Sequence, residues 1–253
     1  MTGDNTLTFP LELELPVANG GTGPNGNRQQ RLITHVARAD EADEIFEFLL
    51  SHFFPLAPIR QLGLYDESEE AKRPEWIQDL VRDCVKTPHS LLVRDVCRHQ
   101  QIVAVAINEF KTKNSTDVGP SSEPYASKSS NPAQIPVGRL HKAVLEYINR
   151  DVNVFDIYKT DLKMELSILA VDDGYARQGL ATKLVEFSLG IARAEGAGAV
   201  WTEALSEYTA KVTSKFGFDI LRTVKYYEFK FDEDFPLANI PGHRVGHLMA
   251  LKI

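Results

Sequence analysis

An α/β fold is what this sequence predicts, on three observations. Apolar residues at helical spacing alternate along the chain with short strand-like runs. One such strand, ending at Val171, passes through a glycine-bearing turn directly into an amphipathic helix. The composition, 43% hydrophobic and 25% charged over 253 residues, is that of an ordinary globular protein. One compact domain with a long insertion, or two small domains, fits that length.

Residues 1–31 form a flexible lead-in on this reading, because ANGGTGPNGNRQQR lacks the apolar periodicity needed to offset ordering entropy. Ordered structure begins with a short strand at Leu32 to Val36. Asp40 then caps a helix whose Ala42, Ile45, Phe46, Leu49, Leu50 and Phe53 share one face. A second helix opens near Pro74 and carries Trp76, Ile77, Leu80, Val81 and Cys84 on one side. Strands at Ser90–Val96 and Ile102–Phe110 flank Arg98, His99 and Gln100, which suit a hairpin turn. The polar stretch at about 113–133 is too long for an ordinary connection and reads as a mobile surface loop.

Leu140, Val144 and Ile148 form the next helical stripe, and Leu162 to Val171 a buried strand. After the turn, Leu180, Leu184, Phe187 and Ile191 repeat at helical spacing. Ala199–Leu205 reads as a strand and Tyr208–Phe216 as a short helix closed by Gly217. The remainder is strand-rich, with breaks at Pro236 and Pro241.

Charge and sulfur content exclude several functions. The net charge of -7 disfavours a nucleic-acid binder that works by neutralising phosphates. Cys84 and Cys97 lack metal-knuckle or redox spacing and read as two reduced, buried thiols. The N-terminus, with Asp4 in front and Glu12 and Glu14 among the leucines, is unlike a secretory signal, and no apolar run approaches bilayer length. A cytoplasmic protein with no membrane partner is the expectation.

The informative stretch is SILAVDDGYARQGLATKL. A helix N-terminus carries unsatisfied amides and a positive dipole end, and small residues let an anion approach them, so the turn with Gly174 and Gly179 suits a pyrophosphate. Arg177 adds charge at its rim. The competing reading is that Gly179 merely closes a strand-to-helix turn. No Gly-Lys-Ser/Thr ends the turn and GxGxxG is missing, which excludes a Walker loop or a dinucleotide fingerprint.

Ala176-Arg177-Gln178-Gly179-Leu180-Ala181 resembles the Arg/Gln-x-x-Gly-x-Gly/Ala signature of the GNAT superfamily of N-acyltransferases, with Ala176 standing where Arg or Gln is usual. SEYTAKVTSKFGFDIL resembles the second half of the same fold. VNVFDIY and HRVGHLMALKI look like the arylalkylamine N-acetyltransferases of invertebrates, so the resemblance runs from Leu32 to the C-terminus. It implies a single GNAT domain at 32–253, a mixed twisted sheet with helices on both faces, and acetyl-CoA as acyl donor. It places the donor on the backbone of Leu169, Ala170 and Val171 and on Arg177, Gln178, Gly179, Leu180, Ala181 and Thr182, with Trp201–Leu205 as the partner strand.

An ammonium acceptor, with a pKa of roughly 10.5 as for lysine, must lose a proton before it attacks. Glu165 lies four residues before Leu169, so strand alternation puts the two side chains on one face. Some protein-lysine acetyltransferases of the superfamily hold their base at the matching position. A Glu at the start of the strand, facing solvent or paired with Lys163, is the alternative. The glutamate and two serines described for the insect enzymes correspond here to Phe54, Leu205 and Thr209, so that set is not retained. Ser206 stands where relatives hold a cofactor-contacting Asn, and Thr213 where many hold a Tyr that protonates the thiolate. Glu165 and Ser206 are therefore the catalytic candidates, with Glu203 and His52 behind them.

Other patterns have plainer readings. His243 and His247 sit four apart in a strand-like segment, where that spacing does not converge on a metal. Tyr226, Tyr227, Phe229 and Phe231 suit sheet core, or the wall of an amine pocket. The acidic run Asp66–Glu70 is a solvated helix start, or an attractor of cations. The resemblance implies direct acetyl transfer to the primary amine of a small arylalkylamine or related molecule. Its rivals are a protein-lysine acetyltransferase and a non-catalytic acyl-CoA-binding relative.

Overall fold

A computed structural model describes residues 11–13, 31–62, 73–114 and 137–253. The strands are β1 (Leu11–Leu13), β2 (Leu32–Val36), β3 (Leu91–Asp95), β4 (Gln101–Thr112), β5 (Leu162–Val171), β6 (Ala199–Ala204), β7 (Asp219–Lys225) and β8 (Val245–Lys252). The helices are α1 (Ala42–His52), α2 (Glu75–Cys84), α3 (Val137–Asn149), α4 (Val154–Tyr158), α5 (Leu180–Ala194) and α6 (Glu207–Ser214). The strands form one sheet in the order β1-β2-β3-β4-β5-β6-β8-β7. β5 and β6 are parallel and the other described pairs antiparallel, which makes the sheet mixed as expected.

Alternation along the strands divides the core into two sides. Val103, Ala104, Ala106, Met164, Leu166, Val200 and Met249 pack with Leu180, Leu184, Val185 and Leu189 of α5. On the opposite face Val105, Ile107, Ile168 and Ala170 meet Ile45, Phe46 and Leu49 of α1 and Ile77 and Val81 of α2. Further along that face, Leu140, Val144 and Ile148 of α3 cover Trp201, Leu248 and Ala250. Most of the side chains at helical spacing in the sequence are the ones the helices bury, although Leu50, Phe53, Trp76, Leu80 and Phe187 are only partly buried and Phe48, outside the pattern, is core.

Several expectations change in detail. Leu11–Leu13, inside the segment read as a lead-in, pair antiparallel with β2, while the rest of residues 1–30 lies outside the described residues. The acidic run Asp66–Glu70 and most of the 113–133 loop also lie outside them. Asp40 does not cap the first helix. A short 3-10 turn at Ala39–Glu41 precedes α1, and the buried Glu41 accepts a hydrogen bond from Arg38 N at 3.0 Å. Arg94 Nη2, 2.8 Å away, and His35 also hold the Glu41 carboxylate, which makes no cap bond to α1 itself. Cys84 is buried, and burial pushes its thiol up to about 12, but Cys97 is exposed, so the pair of buried thiols is reduced to one.

Candidate active site

The site begins where β5 and β6 part. Their parallel register covers only Lys163, Met164 and Glu165 against Ala199, Val200 and Trp201. Thr202 Oγ1 then donates to Leu166 O at 2.9 Å, and beyond that point the strands diverge around a cleft of about 2110 Å³. Leu169, Ala170 and Val171 line one side of it, and Glu203, Leu205 and Ser206 the other. Leu169–Val171 pair with Ala104–Ala106 of β4, so this half of β5 is held on one edge and open toward β6 on the other.

A bulge accompanies the divergence. Ile107 faces Ile168 and Asn108 faces Leu166, leaving Ser167 with no opposite number. The extra residue reverses the alternation: Met164 and Leu166 lie in the α5 core before it, Leu169 and Val171 pack against that core after it, and Ile168 and Ala170 belong to the other face. Glu165 and Leu169 therefore do not share a face, and the four-residue argument from the sequence fails at Ser167.

At the end of β5, Asp172 Oδ1 accepts from Gly174 N at 2.7 Å and forms a tight turn. Tyr175, 1% exposed, anchors the turn by donating its hydroxyl to the equally buried Asp95 Oδ2 at 2.6 Å. The chain then passes through positive φ twice, at Arg177 (62°) and Gly179 (86°), before α5 begins. Lys183 N bonds to Gly179 O, so the amides of Leu180, Ala181 and Thr182 precede the first helical bond, and no side chain caps them. A Cβ at Gly179 would meet nothing within 4 Å, so there is space beside these amides. Arg177, Gly179, Leu180, Ala181 and Thr182 all line the cleft; Gln178 does not. Unsatisfied amides, a positive helix end and an arginine beside open space fit a pyrophosphate.

The other end of the cleft has a charged floor. Lys111 Nζ of β4 lies 2.9 Å from Glu165 Oε2 and 3.3 Å from Glu109 Oε2. Lys163, 6% exposed, sits 4.3 Å from the ring centre of Phe155 and 4.4 Å from that of Trp201. Glu203, two residues beyond Trp201, accepts from Asn149 Nδ2 at 2.5 Å. Its own surface is only partly covered, but the protein around it withholds enough water to raise its carboxyl to about 7, with the charge of Glu165 adding to the rise. Asn149, Lys111 and Lys163 oppose that rise. A carboxylate with this proton affinity can take a proton near neutrality and return it.

The remaining candidates fall into place around this floor. Ser206 lines the cleft, but its Oγ accepts from Tyr208 N at 3.1 Å and caps α6, a positioning task. His52 reaches the rim, with Nδ1 3.9 Å from Asp172 Oδ1. Phe54 is buried beneath Arg60, and Leu205 and Thr209 line the cleft without supplying a base. Thr213 is buried against Met249 and does not line it. His243 Nδ1 accepts from Glu207 N, His247 bonds to Thr223, and the described residues contain no group of three metal-ligating side chains. Tyr226 and Phe229 are core, whereas Phe53, Phe54, Trp76, Trp201 and Tyr208 give the cleft its aromatic surface. In the sequence Glu203 ranks behind Glu165 as a base, and Asn149 and Lys111 carry no signal that marks them.

Residues 62–218 match the acetyltransferase (GNAT) family. The fold is similar to that of arylalkylamine N-acetyltransferase 2 from Aedes aegypti, with a TM-score of 0.74 and 22% identity over 88% of this chain and 99% of that one. It is also similar to the Drosophila melanogaster polyamine N-acetyltransferase that forms N-acetylagmatine, at a TM-score of 0.70 and 17% identity over 88% of this chain and 100% of that one. A mosquito arylalkylamine N-acetyltransferase like 5b gives 0.69 and 17% over the same shares. At these identities the likeness is one of fold, whereas the match to the family spans more than half of the sequence. With its divergent strands, its uncapped helix start and that match, the chain belongs to the GNAT family of acetyl-CoA-dependent N-acetyltransferases.

Proposed function

We propose that this enzyme acetylates the primary amine of a small arylalkylamine or related amine, with Glu203 as the general base. The observation that carries the reading is the presence, in one cleft, of the α5 amides, a carboxyl raised to about 7 and an aromatic surface. Acetyl-CoA supplies a thioester, whose carbonyl carbon forms the new C–N bond as its C–S bond breaks. The chain's residues do the rest. Leu180, Ala181 and Thr182 offer amides to the pyrophosphate, and the open edge of Leu169–Val171 offers backbone groups along the pantetheine path.

Glu203 takes the proton that the ammonium must shed. Its proton affinity lies well below that of a free amine, so full transfer before attack is uphill by about three to four tenfold steps, a cost that removal of the proton during attack reduces. Glu165 raises the basicity of Glu203 by its charge, while Lys111 holds Glu165 in place. Phe53, Phe54 and Trp76 suit the apolar body of the acceptor. Solved relatives whose names specify arylalkylamines or agmatine share this fold, which supports a small amine without choosing one.

The test is thiol release from acetyl-CoA with tyramine, dopamine, serotonin, simple alkylamines and lysine peptides side by side. Turnover of small amines above peptides is expected. A preference for peptides would favour a protein-lysine acetyltransferase, and CoA binding without transfer would favour a non-catalytic relative.

A further inference from the structure

Helix α3 ends at Asn149, and this terminus is fixed from several directions. Ile148 is fully buried, Arg222 Nη1 of β7 donates to Tyr147 O at 3.1 Å, and Val152 N donates to Asn149 O at 3.1 Å. The Asn149 carboxamide has two N–H hydrogens and two acceptors, Leu145 O at 2.9 Å and Glu203 Oε1 at 2.5 Å. The first bond locks the amide plane to its own helix, and the second passes that order to the carboxylate. Glu203 Oε2 has no hydrogen-bond partner among the described residues, and Glu203 lines the cleft.

We propose that Asn149 is a positioning residue, holding Glu203 by Oε1 so that Oε2 is the atom presented to the acceptor amine. The proposal rests on the acetyltransferase reading above. Without this bond the carboxylate can rotate toward the floor lysines. Lys111 is already shared between Glu109 and Glu165, and Lys163 lies against two aromatic rings, so neither takes the place of Asn149 in the structure.

The bond also favours the ionised form of Glu203, against burial and the charge of Glu165. The charged groups acting on Glu203 are Glu165 and Lys163 of β5 and Lys111 of β4. On the other packed elements, β8 carries His247 opposite Ala204, bonded to Thr223, and α6 begins with Glu207, bonded to Arg244 N. On α4, Asp156 pairs with Lys113, and on α5, Lys183 pairs with Glu186. On α3, Glu146 pairs with Lys142.

The experiment compares wild-type protein with Asn149→Ala, Asn149→Asp and Asn149→Gln by the pH dependence of kcat and by carbon-13 NMR titration of the Glu203 carboxyl without CoA. Calorimetry with CoA checks folding of each variant. In Asn149→Ala the acidic limb and the carboxyl titration both move upward by about one pH unit, so the rate falls at least roughly five- to tenfold at pH 7 and recovers only in part by pH 9, where the loss due to the freed carboxylate persists. Asn149→Asp, isosteric but without the donor, moves further, and Asn149→Gln lies between Ala and wild type. A rate loss equal at every pH, or an unmoved Glu203 titration, overturns the proposal. If the titration moves but wild-type protein acetylates no amine, the functional reading fails while the hold on Glu203 stands.

Discussion

Replacing Glu203 by Gln should make the protein more stable at pH 8 while removing most of its activity. The folded-state carboxyl is raised from 4.5 to about 7 by burial and by Glu165, so between those values the native state binds more protons than the unfolded chain. Stability therefore falls as pH rises through this window, and above it the ionised Glu203 is a standing cost. At about 1.4 kcal/mol per tenfold change in proton affinity the full cost is about 3–4 kcal/mol; coupling to Glu165 and partial exposure reduce it to about 2 kcal/mol. Gln keeps an oxygen for Asn149 and carries no charge. Urea unfolding at pH 5 and pH 8 should show the wild type losing stability between the two and the variant losing less, with the variant ahead at pH 8 and thermal midpoints separated by roughly 4–8 °C. Acetyl transfer should fall by about two to four orders of magnitude. A variant less stable than wild type at pH 8, with an unchanged pH dependence, would refute the account of Glu203 as a carboxylate raised by its surroundings.

Three further outcomes follow from the same geometry. Glu165→Gln removes a negative charge that raises Glu203, so the acidic limb of kcat should move to lower pH; a hundredfold loss at neutral pH would instead make Glu165 the base. Gly179→Glu should abolish CoA binding in calorimetry, because it sets a carboxylate beside the α5 amides and forces a side chain onto φ 86°, at a fold cost of about 1 kcal/mol visible by circular dichroism melting. Tyr175→Phe deprives the buried Asp95 of a donor, should cost about 1.5–3 kcal/mol in urea unfolding, and should weaken CoA binding by loosening the turn before α5.

The elements were legible because burial is periodic. Leu140, Val144 and Ile148, and Leu180 with Leu184, announce helices by spacing alone, and LKMELSILAV announces a strand. The turn into α5 was legible because Gly179 and small residues stand where a strand runs directly into a helical stripe. The bulge at Ser167 was not, since no glycine or proline marks it and alternation looks unbroken through it. That one extra residue moved Glu165 off the face of Leu169. Asn149 was illegible for a different reason: it meets Glu203 across 54 positions of sequence, and nothing in α3 records which strand its last residue will face. Asp40 looks like the cap by residue type, yet the carboxylate that ties down the turn ahead of α1 is that of Glu41, bonded to Arg38 N and held there by Arg94, distant in sequence.

The most direct test of the central claim is a crystal structure with CoA and an acetylated amine bound. The account predicts pyrophosphate oxygens within hydrogen-bonding distance of the amides of Leu180–Thr182, the CoA sulfur between the diverging strands, and the amide nitrogen within about 3 Å of Glu203 Oε2 directly or through one water. A product nitrogen held by Glu165 or facing open solvent, with Glu203 out of reach, would contradict it.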